Sequence, residues 1–463
     1  MAGATRKETD SLGDVQVPVE ALWGAQTQRA VGNFPVSGLR LPRRLIRALA
    51  LVKKAAAQVN RQSGALEPRL ADAIIQAAHE VATGQHDAQF PVDIFQTGSG
   101  TSSNMNANEV IANRAIQLLG GRLGTKTPVH PNDHVNKGQS SNDVFPTAVH
   151  VAAAEAVERD LLPALRVLER ALLDKAKAFD PIVKLGRTHL MDAVPIRLGQ
   201  EFSGYARMVT NTVRRIAGTR ATLDELPLGG TAVGTGLGAE PAFAPRVIAI
   251  LAAESGLPFT QAPNLFEALA ARDGLVESSG ALRAAAVSLT KIANDIRWLG
   301  SGPRGAIGEL HIPDLQPGSS IMPGKVNPVM SEMLLMVCAQ VIGHDAAIAW
   351  GGAAGNFELN VMIPVMAYNF LSAVAVLSHA CALFASRCVE GLAANDERAA
   401  ALVEQSLALV TALNPRIGYD AAAAIAREAA ATGKTVRQLC LEKQVLPPDE
   451  LERLLDARGM TGP

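Results

Sequence analysis

Four loops of this chain carry small hydroxyl and amide side chains beside stretches with helical periodicity. Serine, threonine and asparagine at such positions commonly cap helices, because their oxygens accept hydrogen bonds from free backbone amides. If several helix N-termini lie together, their unpaired N–H groups and dipoles instead form a binding site for a small anion. Four such loops in one chain favour the anion site, and Lys325 adds a positive charge to it. The loops lie at residues 96–104, 139–143, 186–189 and 318–328.

The composition excludes several other kinds of partner. The 463 residues carry 43 basic and 44 acidic side chains, so the net charge of -1 predicts binding to neither nucleic acid nor an anionic membrane. No Walker lysine motif occurs, and no GxGxxG follows a strand pattern, so a nucleotide is not the expected anion. The four cysteines form no CxxC pair, so we expect neither a zinc site nor a disulfide framework. The N-terminus has no apolar signal core, which makes the cytoplasm the expected location.

Long helical patterns dominate the middle of the chain. The longest, residues 143–179, exceeds an ordinary globular helix, and Pro163 is its expected kink. These patterns predict a central long-helix bundle at 141–394, between an N-terminal helical domain at 1–140 and a small C-terminal helical domain at 395–463. The other long patterns lie at 195–223, 265–299, 328–350 and 357–389, and shorter ones lie at 45–63, 66–83, 104–119, 396–413, 419–432, 436–442 and 448–456.

One apolar stretch, residues 361–386, has no charged side chain and is long enough to span a bilayer. It includes Pro364, Asn369 and His379, and we expect no second stretch of this kind. A helix buried on all sides within a helical bundle explains the stretch better than a membrane span. The sequence therefore predicts a soluble protein with no membrane partner.

The segment GSSIMPGKVNP at 318–328 resembles the signature loop of the fumarase/aspartase superfamily. The resemblance covers nearly the whole chain, from Val17 and the WGAQTQR segment at 23–29 to the NPRIGY segment at 414–419. It implies an all-α, three-domain fold whose central bundle assembles into a tetrameric helical core. The chain is most similar to class II fumarases, which implies reversible hydration of fumarate to L-malate in the tricarboxylic acid cycle, with no metal and no cofactor.

Fumarase and aspartase share this fold, but four features of the sequence favour fumarase. The GRTH motif at 186–189 resembles the fumarase motif, whereas aspartases typically carry glutamine in place of His189. The TGSGT segment at 97–101, the SSN segment at 140–142, and Gly324 with the GNFELN segment at 355–360 also follow the fumarase pattern. Aspartate ammonia-lyase and a catalytically inactive structural member of the superfamily remain the alternatives.

The resemblance also implies roles for individual residues. Ser319 is the base that removes the carbon-bound proton, and His189 shuttles a proton to the leaving hydroxyl through water. Glu332 is the partner that raises the pKa of His189, unless it is only a first-turn acid favoured by the helix dipole. Lys325 and Asn327 bind a substrate carboxylate. The remaining substrate-binding positions are Ser99, Gly100, Thr101, Ser140, Ser141, Asn142, Thr188, Ser320 and Val326.

Two further expectations follow from the resemblance. His130, Pro131, Asn132 and Asp133 resemble a second anion site of the superfamily, although Thr127 replaces an arginine that some relatives have there. The same four residues could simply form a turn, since proline and asparagine favour turns. Superfamily members are homotetramers in which each active site combines loops from three subunits, which implies separate chains for the Ser140, His189 and Ser319 loops.

Overall fold

The structure is a computed structural model that describes residues 4–462, in which α-helix dominates. Its β-structure consists of short strand pairs: β1 with β2, β3 with β4 and β7 with β8 are antiparallel, and β5 with β6 is parallel. The sequence patterns predicted none of these pairs. The strands are β1 Thr5–Asp10, β2 Gly13–Pro18, β3 Val183–Thr188, β4 Met191–Arg197, β5 Glu225–Leu226, β6 Thr260–Gln261, β7 Leu310–His311 and β8 Ala393–Ala394.

Three of the four N-terminal helices lie close to their predicted positions, whereas the helix Ala25–Asn33 was not predicted. Apolar residues at helical spacing, Leu45, Leu49, Val52 and Ala56, are all buried, which explains why this segment forms an amphipathic helix. The next helix begins at Pro68, a residue suited to the first helical position. These helices are α1 Ala25–Asn33, α2 Arg43–Gln62, α3 Pro68–Ala82 and α4 Thr101–Leu118.

The middle of the chain contains the long helices that the sequence predicts, with two differences. The helix Phe243–Ser255 was not predicted, and the pattern at 265–299 is broken between Ala270 and Asp273. The pattern at 143–179 is helical throughout, but a π-helical turn, Val157–Leu161, lies just before Pro163. Proline lacks the N–H of the helical ladder and its ring displaces the preceding carbonyl, so a wide turn at this point is expected. The helices are α5 Ser141–Ala156, α6 Leu162–Ala178, α7 Leu198–Gly218, α8 Arg220–Leu223, α9 Phe243–Ser255, α10 Leu265–Ala270, α11 Asp273–Leu299, α12 Val329–Gly352 and α13 Ile363–Arg387.

Short helices form the C-terminal part of the chain, as predicted. Val403, Leu413, Ile425 and Leu439 pack into one buried apolar cluster together with Leu185 from β3. The helices are α14 Asp396–Gln405, a 3-10 helix Leu407–Leu413, α15 Asn414–Ile417, α16 Tyr419–Thr432, α17 Val436–Glu442 and α18 Pro448–Leu454.

The chain divides into two compact units whose boundaries fall inside the long helices. Unit 1 contains residues 1–163, 214–284 and 339–377, and unit 2 contains residues 164–213, 285–338 and 378–463. The three-domain division at 140 and 394 stays a prediction.

Within residues 4–462, two helical segments, not one, are long and apolar enough to span a membrane. These are Val329–Gly352 and Ile363–Gly391, and 61% of the most apolar window of the second is buried within the protein. The expectation of a single stretch is wrong, because Val329–Gly352 keeps a high mean hydropathy although it contains Glu332 and Asp345. Length and composition alone do not distinguish such helices from the core helices of a globular protein.

The four cysteines, Cys338, Cys381, Cys388 and Cys440, are buried and form no disulfide. Burial raises the pKa of the Cys338 thiol to about 11 and that of Cys388 to about 12. These thiols are therefore protonated near neutral pH and are poor nucleophiles.

Candidate active site

The loop before α4, in unit 1, depends on two glycines. A Cβ atom on Gly98 would lie 1.7 Å from the backbone oxygen of Val361, and the Gly98 oxygen accepts a 3.0 Å hydrogen bond from the Ile363 amide. Gly100 has a φ of 79°, and a Cβ there would lie 2.3 Å from the ring of Phe145. This tight packing fixes the loop that carries Ser99 and Thr101.

The second loop of unit 1 ends in a helix cap. Ser140 caps α5: its Oγ accepts a hydrogen bond from the Asn142 amide, and its own amide donates to Asp143 Oδ1 at 3.0 Å. The other Asp143 oxygen accepts 3.0 Å hydrogen bonds from the amides of Gly229 and Thr231. Burial raises the pKa of Asp143, and the three amide donors oppose that rise. The buried carboxyl therefore anchors the loop that presents residues 140–142.

These two loops are joined inside unit 1. Asn104, in the first turn of α4, donates from Nδ2 to Ser141 Oγ over 2.8 Å. Within the first loop, the hydroxyls of Ser99 and Thr101 lie 2.8 Å apart. The structure therefore confirms that loops 96–104 and 139–143 precede helices and shows that they lie together.

The loop with His189 differs from the prediction. Thr188 pairs with Met191 across β3 and β4, and His189 and Leu190 form the turn between these strands, with φ values of 56° and 61°. Two consecutive residues with positive φ are typical of the type I′ turns that close tight hairpins. The expectation that residues 186–189 lead into a helix near Pro195 is wrong, because β4 occupies 191–197 and α7 begins at Leu198.

A buried charge cluster supports the strand that precedes this turn. Arg187 donates to both carboxylate oxygens of Glu309, over 2.9 and 3.0 Å, and Lys184 lies 3.3 Å from Glu309 Oε2. The Glu309 side chain is fully buried, and Lys184 also lies 3.2 Å from Glu201 Oε2. Because both charged partners of Glu309 project from β3, the pairs tie this strand to the interior of unit 2.

The signature loop of unit 2 closes on itself. The Gly318 amide donates to the Lys325 oxygen over 2.7 Å, and Asn327 Nδ2 donates to the Gly318 oxygen over 2.8 Å. Ser319 Oγ accepts hydrogen bonds from the amides of Ile321 and Met322, at 3.2 and 3.0 Å. Amide N–H groups aimed at a hydroxyl oxygen stabilise negative charge on it. The loop can therefore stabilise a serine alkoxide at this position.

The other unit 2 candidates lie at the surface of the single chain. His189, Lys325 and Glu332 are exposed, as are Thr188, Ser320 and Val326. Within residues 4–462, no hydrogen bond or ion pair joins His189 to Glu332 or occupies the Lys325 amine. Asn327 is partly buried and uses its amide nitrogen to close the loop, which leaves its amide oxygen for other contacts.

The segment at 130–133 forms a turn. His130 precedes a π-helical turn, Pro131–Val135, and its Nδ1 accepts from the amides of Asn132 and Asp133 at 3.2 Å. A cavity of about 650 Å³ lies beside it, lined partly by Lys7 and Lys126. The segment has the geometry of a turn, and whether it also binds an anion stays a prediction. In the described part of the chain, no cluster of three or more His, Cys, Asp or Glu side chains could hold a metal ion.

This chain matches two known family models and is similar along its whole length to known enzymes. A family model described as "Lyase" matches residues 13–343, and one described as "Fumarase C C-terminus" matches residues 409–462. The class II fumarate hydratase of Mycobacterium tuberculosis (strain H37Rv) is 58% identical over 460 residues, which cover 98% of this chain and 96% of that protein. The class II fumarate hydratase of Rhizobium meliloti is 53% identical and covers 99% of both chains.

The fold of this chain is also similar to solved structures of fumarase and of a fumarate lyase. The class II fumarase of Schistosoma mansoni has a TM-score of 0.96 at 39% identity and covers 99% of both chains. A cobalt-bound "fumarate lyase:delta crystallin" of Brucella melitensis has a TM-score of 0.95 at 45% identity, covering 99% of this chain and 100% of that one. Together the fold and the matched models define a lyase. The chain belongs to the class II fumarate hydratases, and the reaction it catalyses is the hydration of fumarate.

Two residues that support the site were missed from the sequence. Glu309 lies more than one hundred positions from Arg187, and nothing local marks it as a partner. Lys53 is fully buried on α2. Its position on the apolar stripe, between Leu49 and Ala56, was a signal that could have identified it.

Proposed function

We propose that this hydratase interconverts fumarate and L-malate by anti addition and elimination of water, with Ser319 as the base. In the dehydration direction, Ser319 takes the proton beside one carboxylate, and the electron pair of that C–H bond forms the new double bond. The neighbouring C–O bond breaks, and the hydroxyl receives a proton from His189 through water and leaves as water. Glu332 is the proposed partner of His189 in this transfer.

The observation that carries the proposal is the environment of Ser319 Oγ. An alcohol is normally too weak an acid to act as an anionic base near neutral pH, so its alkoxide needs strong stabilisation. Two backbone amides of the same loop donate to this oxygen, at 3.2 and 3.0 Å. The ammonium group of Lys325, six residues later, adds a positive charge to the loop.

The substrate is a dianion whose charge grows as the carbon-bound proton leaves, so the site needs a cation and several donors. We assign the carboxylate contacts to Lys325, Asn327 and the hydroxyl and amide groups of residues 99–101, 140–142 and 188. The free amine of Lys325 supports this assignment. Arg187 is not an alternative cation, because Glu309 occupies its guanidinium.

We further propose a homotetramer in which each active site combines loops from three subunits. Two observations support it. The single chain leaves the side chains of His189 and Glu332 exposed, and neither has a side-chain hydrogen bond within residues 4–462. α12 exposes Met336 at 68%, Ile342 at 41% and Trp350 at 76%, a series of apolar residues that assembly would cover. We propose that helices of neighbouring subunits cover these apolar residues in the tetramer.

The proposal also covers the metal requirement, the cellular role and the segment at residues 130–133. We infer that the reaction needs no metal, that it serves the tricarboxylic acid cycle in the cytoplasm, and that residues 130–133 form a second anion site. Turnover after dialysis against EDTA tests the first inference, because a metal-dependent enzyme would lose activity that added metal restores.

One assay tests the reaction itself. Fumarate absorbs in the ultraviolet, so absorbance is followed after addition of L-malate and, separately, of L-aspartate. A rise with malate alone supports the proposal. A rise with aspartate alone would indicate an ammonia-lyase, and no rise with either would indicate an inactive structural protein.

A further inference from the structure

A lysine is buried behind the Ser140 loop without a carboxylate partner. Lys53 lies on α2 with none of its side chain exposed, and its amine donates to Asn136 Oδ1 over 2.8 Å and to Gln139 Oε1 over 3.0 Å. Within the described residues, no acidic group lies within ion-pair distance of this amine. Burial of an amine among neutral partners is costly, so its retention requires an explanation.

Asn136 connects the amine to both loops of unit 1. Its Oδ1 also accepts from Asn104 Nδ2 at 3.2 Å and Asn108 Nδ2 at 3.1 Å, and its Nδ2 donates to the Gln139 backbone oxygen at 3.0 Å. Asn104 in turn donates to Ser141 Oγ. The Lys53 amine thus holds the segment that ends at Ser140, and it does so from a position that no substrate atom can reach.

The two hydrogen bonds of the Lys53 amine can form whether the amine is charged or neutral. Burial lowers the pKa of Lys53 to about 7, while the negative charge of Asp143 opposes this shift. A charged ammonium has three N–H donors and a neutral amine has two. Lys53 has two acceptors, so both contacts persist in either ionisation state.

We propose that Lys53 is a positioning residue for substrate binding: its amine fixes Asn136 and Gln139, and through them the groups of residues 140–142. The inference rests on the proposed role of that loop in carboxylate binding. Lys53 does not contact the substrate, and its contribution is to hold the loop in its binding geometry before substrate arrives.

The principal test compares Lys53→Met with Lys54→Met. Methionine has similar length but no donor, and Lys54 is the adjacent residue, whose amine pairs with Glu254 instead. The measurements are KM and kcat for malate, and the dissociation constant of succinate, a dicarboxylate that cannot be dehydrated, by calorimetry. For Lys53→Met we expect KM and the succinate constant to rise roughly tenfold, as for loss of a buried hydrogen-bond partner, and we expect Lys54→Met to match the wild type.

These measurements separate positioning from a role in folding alone. A lysine needed only for folding would reduce the amount of active enzyme, and therefore the apparent kcat, while the remaining enzyme would bind succinate normally. An unchanged KM and succinate constant in assembled Lys53→Met enzyme would overturn the proposal.

A second variant keeps the test valid if Lys53→Met does not fold. Gln139→Leu removes the acceptor of the Lys53 amine and the donor to the backbone oxygens of Val135 and Lys137, but it leaves the bond from Lys53 to Asn136. We expect KM to rise roughly threefold or more. Where both variants fold, the double variant should lose less succinate affinity than the two single losses added together, because the two residues share one hydrogen bond. Fully additive losses would overturn the proposal, as would an unchanged KM in Gln139→Leu.

Ser140→Ala distinguishes this inference from the proposed function. If Ser140→Ala leaves succinate binding unchanged, the assignment of the loop to the substrate is wrong, and the role of Lys53 fails with it. If Ser140→Ala weakens binding but Lys53→Met does not, only the positioning role is wrong.

Discussion

Arg187 and Glu309 form a bidentate ion pair inside unit 2, with two guanidinium nitrogens 2.9 and 3.0 Å from the two carboxylate oxygens. The arginine lies two residues before His189, so the pair holds the hairpin whose turn presents the proposed proton shuttle. Paired geometry of this kind fixes direction as well as distance, since the guanidinium and the carboxylate are both planar.

Glu309→Gln should therefore destabilise the protein and slow catalysis. It leaves the partly buried charge of Arg187 uncompensated and weakens the pairing of the buried Lys184, at an expected cost of about 3 kcal/mol in the free energy of unfolding. Denaturant unfolding and malate turnover are the measurements. Asp72→Asn is the matched control, because it breaks the exposed pair with Arg61 and should cost less than about 1 kcal/mol. Equal losses in the two variants would show that the buried pair has no special role.

Ser319→Ala should keep the assembly and dicarboxylate binding but lose turnover. A positioned base commonly contributes about 10²-fold or more to the rate, so kcat should fall by at least that factor. Succinate binding by calorimetry shows whether the loop is intact. Near wild-type turnover in this variant would assign the base to another residue.

Lys325→Met should weaken binding and also slow turnover, because a substrate carboxylate in a desolvated site would lose its cation. We expect KM to rise and kcat to fall, both measured with malate. Since Glu309 occupies Arg187, no compensation is expected from that residue. Unchanged KM and kcat would show that a different cation binds the carboxylate.

Mixed assembly tests the composite active site. Ser319→Ala and His189→Asn, each nearly inactive alone, are unfolded together in equal amounts and reassembled. If the two residues of one site come from different subunits, about a quarter of the sites receive both intact residues, given random closed assembly. Malate dehydration is compared with each variant renatured alone. Activity at the level of the parents, with assembly confirmed by sedimentation, would place both residues on the same subunit.

The pKa of Lys53 predicts a pH dependence of stability. In the folded protein, burial lowers this pKa from 10.5 to about 7, so between these values the unfolded chain binds more protons. The free energy of unfolding should then rise with pH in this interval, whereas below pH 7 the full cost of burying the ammonium is present. From pH 7 to 9, wild-type stability should rise by about 2 kcal/mol relative to Lys53→Met. If the free energies of unfolding of the two proteins changed in parallel with pH, the lowered pKa of Lys53 would be contradicted.

Sequence patterns predicted the parts of the site that depend on local chemistry. The helix α12 begins directly after Pro328, as that proline indicates, and α5 begins directly after its capping residue Ser140, two residues before the predicted start at 143. The helix α4 begins three residues before its predicted start at 104, after a glycine that makes no side-chain cap. The hairpin at 183–197 was missed because Pro195 resembles a helix start, although a proline is also acceptable near the end of a short outer strand. Glu309 and Lys53 act through partners that are distant in sequence, and no local pattern reports such contacts.

Gly98 and Gly100 have different consequences for the genetics of this enzyme. At Gly98 a side chain is excluded by the backbone oxygen of Val361. Every amino acid has this oxygen, so no substitution of Val361 can remove the clash that a side chain at position 98 would make. At Gly100 the obstacle is the Phe145 ring, which a smaller residue removes. The remaining cost is about 1 kcal/mol for the positive φ of alanine, together with the packing that the buried ring loses. A screen for second-site suppressors should therefore recover substitutions of Phe145 that restore activity to Gly100→Ala. It should recover none that restore activity to Gly98→Ala.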